Sequence, residues 1–148
     1  MNRIEKAQRV FGYTLLFGNK LQLFGDSLLS DFSLKQWFVL VMIQEMSMDS
    51  PSVNQIAEVM GTSRQNIRKM LSILERKGYV DMKPSLTDSR ALSITLTDKT
   101  KNFMDSNKKW AEQITERLFQ GVSEEELEVC MSVSEKLLKN MEGTSTNE

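Results

Sequence analysis

Apolar residues recur along most of this chain at helical spacing. From about residue 3 to 24, Ile4, Ala7, Phe11, Leu15, Phe17, Leu21 and Phe24 form one long stripe. Roughly 34 to 46 is almost continuously apolar from Trp37 to Ile43, which predicts a helix at the centre of a core. Behind Pro51 and Ser52, the residues Val53, Ile56, Ala57 and Met60 keep i, i+3, i+4, i+7 spacing until Gly61 stops them. Ile67, Met70, Leu71 and Leu74 repeat that spacing in a helix of about 63 to 77, and Gly78 closes it. Helices over about 98 to 119 and 124 to 141 follow, and GTSTNE is expected to fray. A Ser or Thr three residues before Gln or Glu marks several starts: Ser33 with Gln36, Ser52 with Gln55, and Ser123 with Glu126. Thr62 with Gln65 fits too, with Ser63 as an alternative cap.

The helical period breaks once. In KPSLTDSRALSITLT, residues 83 to 97, Leu92, Ile94 and Leu96 alternate with Ser93, Thr95 and Thr97, the period of a half-buried strand. Tyr79 to Met82 is expected to pair with Ala91 to Thr97. The Gly-Thr-Ser between the third and fourth helices has the length and chemistry of a helix-turn-helix, and a hairpin directly after it makes a wing. The expected fold is mainly α with a small β wing. A winged helix-turn-helix lobe occupies 33–97, dimerisation helices 1–32 and 98–142, and a flexible tail 143–148. Dimerisation is expected because the stripes at 4 to 24, at Phe103, Trp110, Ile114 and Leu118, and at 127 to 141 exceed what one small lobe covers.

Composition narrows the chemistry. The absence of histidine removes His-based acid–base catalysis, the usual nucleophile pairs and most zinc sites, and the seven glycines form no phosphate-cradling loop. No cofactor and no metal are expected. The apolar run from Val10 to Gly18 is too short for a membrane span and lacks a cleavage site, so a cytoplasmic protein without membrane contact is expected. The single cysteine, Cys130, lies among Leu127, Met131 and Leu137, and is read as a core residue in preference to a redox sensor.

Charge divides along the chain. Residues 61 to 97 carry seven Lys/Arg against three acidic residues, a net of +4, which leaves −5 for the rest. That division suggests a polyanionic partner for the middle only. On the fourth helix, the face opposite Ile67, Leu71 and Leu74 presents Gln65, Lys69, Ser72 and Arg76, with Asn66 and Arg68 on its shoulders and Ser63 and Arg64 at its start. These are donors and amides suited to base edges and phosphates. Gln65, Asn66, Arg68 and Lys69 are expected to include the base readers, and Ser63, Ser72 and Arg76 to hold phosphates. Lys83, Asp88, Ser89 and Arg90 form the candidate wing contact, with Asp88 placed to hold the Arg90 guanidinium. Phe11, Phe17, Trp37 and Phe38 are candidates for lining an effector pocket, with plain core packing as the alternative.

The run SVNQIAEVMGTSRQNIRKMLSILERKGYVDMKPSLTDSRALSITLT resembles the DNA-binding core of the multiple-antibiotic-resistance regulator (MarR) family. The most specific features are LERKGYV and Asp88-Ser89-Arg90 followed by ALSITLT. The resemblance implies a homodimeric transcription factor whose first and last helices interlock. It also implies DNA affinity that falls when a small aromatic or phenolic ligand, or an oxidant, acts on the dimer. Ser89 stands where many members carry Arg, giving a less basic wing, and the N-terminal cysteine of the redox-sensing branch is missing. The expected function is a sequence-specific regulator, a repressor, binding double-stranded DNA at an inverted-repeat operator. Two rivals are a protein-binding adaptor that keeps the winged fold, and a small enzyme. The enzyme is disfavoured by the missing histidines and by the lack of paired carboxylates on an apolar face.

Overall fold

Reciprocal caps decide where several helices begin. In the computed structural model, which describes residues 1–144, α1 (Arg3–Leu28) starts at Asn2, α2 (Leu34–Glu45) at Ser33 and α3 (Val53–Met60) at Ser52, each cap bonded both ways to the residue three positions on. α4 (Arg64–Arg76), β1 (Val80–Pro84), β2 (Leu92–Leu96), α5 (Asp98–Leu118) and α6 (Glu124–Thr144) complete the order. Ser123 and Glu126 exchange the same pair of bonds at the start of α6. Each box satisfies two amides that the first turn would otherwise leave without partners. Residues 145–148, most of the expected tail, lie outside the described residues. The chain divides into two compact units, the first Met1–Asp105 and the second from Ser106 onward.

In the first unit, α1 runs four residues past the expected 24. The first turn of α2 holds that extension: Asp26 Oδ1 accepts the Leu34 amide at 2.7 Å. Buried Gly25 leaves room for the Leu34 side chain, whose Cδ1 would stand 2.6 Å from any Cβ at that position. The core is a single cluster from α2, α3, α4 and the hairpin, including Leu40, Ile56, Ile67, Leu71, Leu74, Val80 and Ile94. The hydrophobic spacing read for α3 and α4, and the apolar run of α2, therefore supply the core as expected.

The strands are antiparallel, pairing Val80 with Leu96, Met82 with Ile94 and Pro84 with Leu92. β1 starts one residue later than expected because the Tyr79 amide is taken up by the turn that closes α4. Gly78 adopts φ 77°, and the Tyr79 amide donates back to the Leu74 carbonyl at 2.9 Å, closing the helix with a left-handed glycine cap. β2 gains a second neighbour, since Ser93 bridges Ser52 and the Ile94 amide donates to the Pro51 carbonyl at 3.0 Å.

Tyr79 is 2% exposed and forms a node between distant segments. Its hydroxyl donates to Asp31 Oδ2 at 2.6 Å, and its carbonyl accepts the Thr100 hydroxyl. The edges of Phe32 and Phe103 meet its ring, and the Lys99 ammonium lies 4.4 Å from the ring centroid. Burial first, and then the bond to the Asp31 carboxylate, push the Tyr79 pKa up to about 12.

Cys130 corrects the sequence reading. It is exposed, as are its neighbours Val129 and Met131, because none of α6 is buried among its described side chains. An apolar stripe shows that a helix has something to bury; it does not show that its own chain supplies the cover. Among the described residues, no helix is long and apolar enough to cross a membrane.

Candidate nucleic-acid interface

The turn between α3 and α4 is built by two caps placed back to back. Gly61 closes α3 at φ 60°, with its amide on the Glu58 carbonyl and the Thr62 amide on the Ala57 carbonyl, both at 3.1 Å. Ser63 then opens α4, its hydroxyl oxygen accepting the Asn66 amide at 3.2 Å. Of the two sequence alternatives the structure selects Ser63. The Thr62 hydroxyl is left to accept from Asn66 Nδ2 at 3.0 Å, and the Thr62/Gln65 box is not made.

With Ile67, Leu71 and Leu74 locked in the core, the rotation of α4 about its axis is set. Arg64, Gln65, Asn66, Arg68, Lys69 and Arg76 are exposed, and Ser72 is half-buried. The first five crowd the N-terminal half of the helix, the end that a recognition helix presents to base edges.

The wing stands beside that end. Lys83, Asp88, Ser89 and Arg90 are all exposed, with Lys83 paired to Ser93 across the hairpin. The loop is closed by the Ser85 amide on the Ala91 carbonyl at 2.9 Å and by the Ala91 amide on the Asp88 carbonyl at 3.0 Å. Here a second expectation is corrected. Asp88 Oδ1 accepts the Arg90 backbone amide at 2.9 Å, and among the described residues the one ion pair is Lys101 with Asp98. Asp88 is thus a turn-former that sets the Arg90 backbone and leaves the guanidinium free, because an Asp side chain reaches the amide two residues on more readily than a distant side-chain tip.

A cleft of about 210 Å³ runs between the two elements, lined by Ser52, Val53, Asn54, Arg64, Arg68, Asp88, Arg90, Ala91 and Leu92. Three arginines against one carboxylate make it a positive groove suited to an anion held from two sides. Sequence reading placed Arg64, Arg68 and Arg90 separately; the bridge from Ser52 to Ser93 is what brings them to one cleft. Asn54 escaped that reading because only the fold brings it to the cleft, and Thr62 was read only as a possible cap and not as the acceptor for Asn66. Leu86 escaped it too, although an apolar residue wholly exposed between Ser85 and Thr87 in the wing loop was visible in the sequence.

The four candidate effector residues do not share one enclosed pocket in the single chain. Trp37 packs partly buried against the core, whereas Phe11, Phe17 and Phe38 are 68%, 53% and 45% exposed. Three of them are open surface because α1 and the outer side of α2 lack cover there.

Comparison with known proteins agrees with this geometry. The MarR family model matches residues 30–91. The transcriptional regulator BldR from Sulfolobus solfataricus superposes with a TM-score of 0.81 at 15% identity, covering 95% of this chain and 99% of its own. MepR from S. aureus, solved as a DNA complex, gives 0.77 at 21% identity over 88% of this chain and 97% of its own. FabT from Streptococcus pneumoniae, also solved with DNA, gives 0.69 at 24% identity over 93% and 99%. At these identities the likeness is one of fold.

Proposed function

We propose that this chain, whose residues 30–91 match the MarR family model, is a MarR-family regulator of transcription that binds DNA sequence-specifically as a homodimer. The observation that carries this reading is the positive cleft in which Arg64 and Arg68 of α4 face Arg90 of the wing, beside the open side chains of Gln65, Asn66 and Lys69. In the reading, the N-terminal half of α4 enters the major groove. Gln65, Asn66, Arg68 and Lys69 include the base readers, and Ser63, Arg64, Ser72, Arg76 and Lys83 hold the backbone. Arg90, presented by the Asp88 turn next to Ser89, reaches the minor groove, which attracts Arg where it is narrow and strongly negative.

Exposed apolar side chains on α1 and on α6 are the support for a second copy as partner. A two-fold dimer requires an inverted repeat with half-sites about 10 base pairs, or roughly 34 Å, apart. Occupying such a site near a promoter represses, and a small aromatic or phenolic effector bound against Phe11, Phe17, Trp37 and Phe38 would shift the spacing. That effector site needs the partner copy to enclose it.

The test is enrichment of genomic fragments by the full chain, followed by titration of the enriched duplex over a range of salt. A palindromic consensus with a steep salt slope supports the proposal. Equal affinity for every duplex rejects it and favours an adaptor that keeps the winged fold.

A further inference from the structure

Among the exposed polar residues in the N-terminal half of α4, Asn66 is held at both ends before any ligand arrives. Its backbone amide donates to Ser63 Oγ at 3.2 Å, and its side-chain Nδ2 donates to Thr62 Oγ1 at 3.0 Å. Thr62 is itself fixed, because its amide closes α3 on the Ala57 carbonyl. The left-handed turn at Gly61 thus orients Thr62, and Thr62 orients the Asn66 amide plane. One N–H of that amide is spent on Thr62; the other and Oδ1 remain. A remaining donor beside an acceptor is the pair that meets adenine N7 and N6–H in the major groove.

We infer that Thr62 is a positioning residue for adenine recognition, holding the Asn66 carboxamide so that α4 reads one adenine in each half-site. This rests on the DNA-binding reading above. Gln65 makes no cap bond and carries one more rotatable bond, so its amide must be ordered on binding, whereas Asn66 meets that cost within the folded chain. Thr62 touches no base in this role; its hydroxyl acts through Asn66.

The experiment selects bound sequences from a randomised duplex pool at one salt concentration, using the full chain, Thr62→Val, Thr62→Ser and Asn66→Ala, each checked for an unchanged helical melt. Wild type should enrich adenine at one position per half-site. Asn66→Ala should lose that preference by about five- to 150-fold, the range of a good bidentate pair. Thr62→Val should narrow it by about two- to tenfold, the cost of ordering one side chain. Thr62→Ser, which keeps the hydroxyl, should retain it, and all other positions and the salt slope should stay as in wild type. If Thr62→Val selects the same sequence as wild type, or weakens every position alike, the positioning role is overturned while DNA binding stands. Failure of the wild-type chain to enrich any sequence overturns the underlying reading together with this one.

Discussion

At Asp88 and Arg90 the chemistry turns on which atom the carboxylate holds. Because Asp88 Oδ1 takes the Arg90 amide, its contribution is a shape that any side-chain oxygen at that point can supply. Asp88→Asn should therefore keep operator affinity or raise it slightly, whereas Asp88→Ala should loosen the loop and weaken binding; equal affinities for the two variants by fluorescence anisotropy would count against a turn-forming role. Arg90→Ala should flatten the plot of log K against log salt by about 0.9 for each wing, leaving the melting temperature unchanged. At Tyr79 the raised pKa makes a pH prediction. Above pH 10 the unfolded phenol loses its proton while the folded one keeps it up to about 12, so the unfolded state binds fewer protons and stability falls as pH rises through that window. The loss is about 2 to 3 kcal/mol at about 1.4 kcal/mol per unit. Tyr79→Phe lacks the phenol, so the stability of the wild type should fall relative to that of the variant between pH 10 and 12; parallel curves would show that the proton is not retained. Neither the Asp88 bond nor the Tyr79 bond was legible beforehand. For Asp88 the sequence offered two donors on one residue, and for Tyr79 the partner lies 48 positions away.

Among the elements, the turn that joins α3 to α4 carries the most consequence for its length. Gly61 sits at φ 60° with open space where a Cβ would go, so Gly61→Ala introduces backbone strain without a clash. A left-handed non-glycine residue costs about 1 to 2 kcal/mol, and urea unfolding should show a loss of that size. An unchanged midpoint would mean that the turn tolerates another conformation. The same strain would loosen Thr62 and, through it, Asn66. The helices themselves were legible because a cap and an apolar spacing are properties of residues three and four apart. Ser63 against Thr62 was undecided for the same reason: both lie within reach of the first turn, and only the closing of α3 commits the Thr62 backbone elsewhere.

For the whole molecule, the first question is what covers α1 and α6. Leu138 is 59% exposed, and an exposed position ordinarily accepts a charge with little effect on folding. If a second copy buries it, Leu138→Glu should shift sedimentation at micromolar concentration from dimer towards monomer. Two lost leucine burials are worth about 3 to 6 kcal/mol of association. A wild-type monomer at that concentration would remove the dimer from the proposal. The sequence by itself determined the order of six helices and a hairpin, the inward faces of α2, α3 and α4, and the positive middle of the chain, because each is written in side-chain type and spacing over a few residues. Tertiary structure alone decided that residues as far apart as Ser52, Arg68 and Arg90 share a cleft, that Tyr79 answers Asp31, and that Cys130 is exposed. Those outcomes depend on how distant segments cross, and periodicity states which face of an element must be buried without stating what will lie against it.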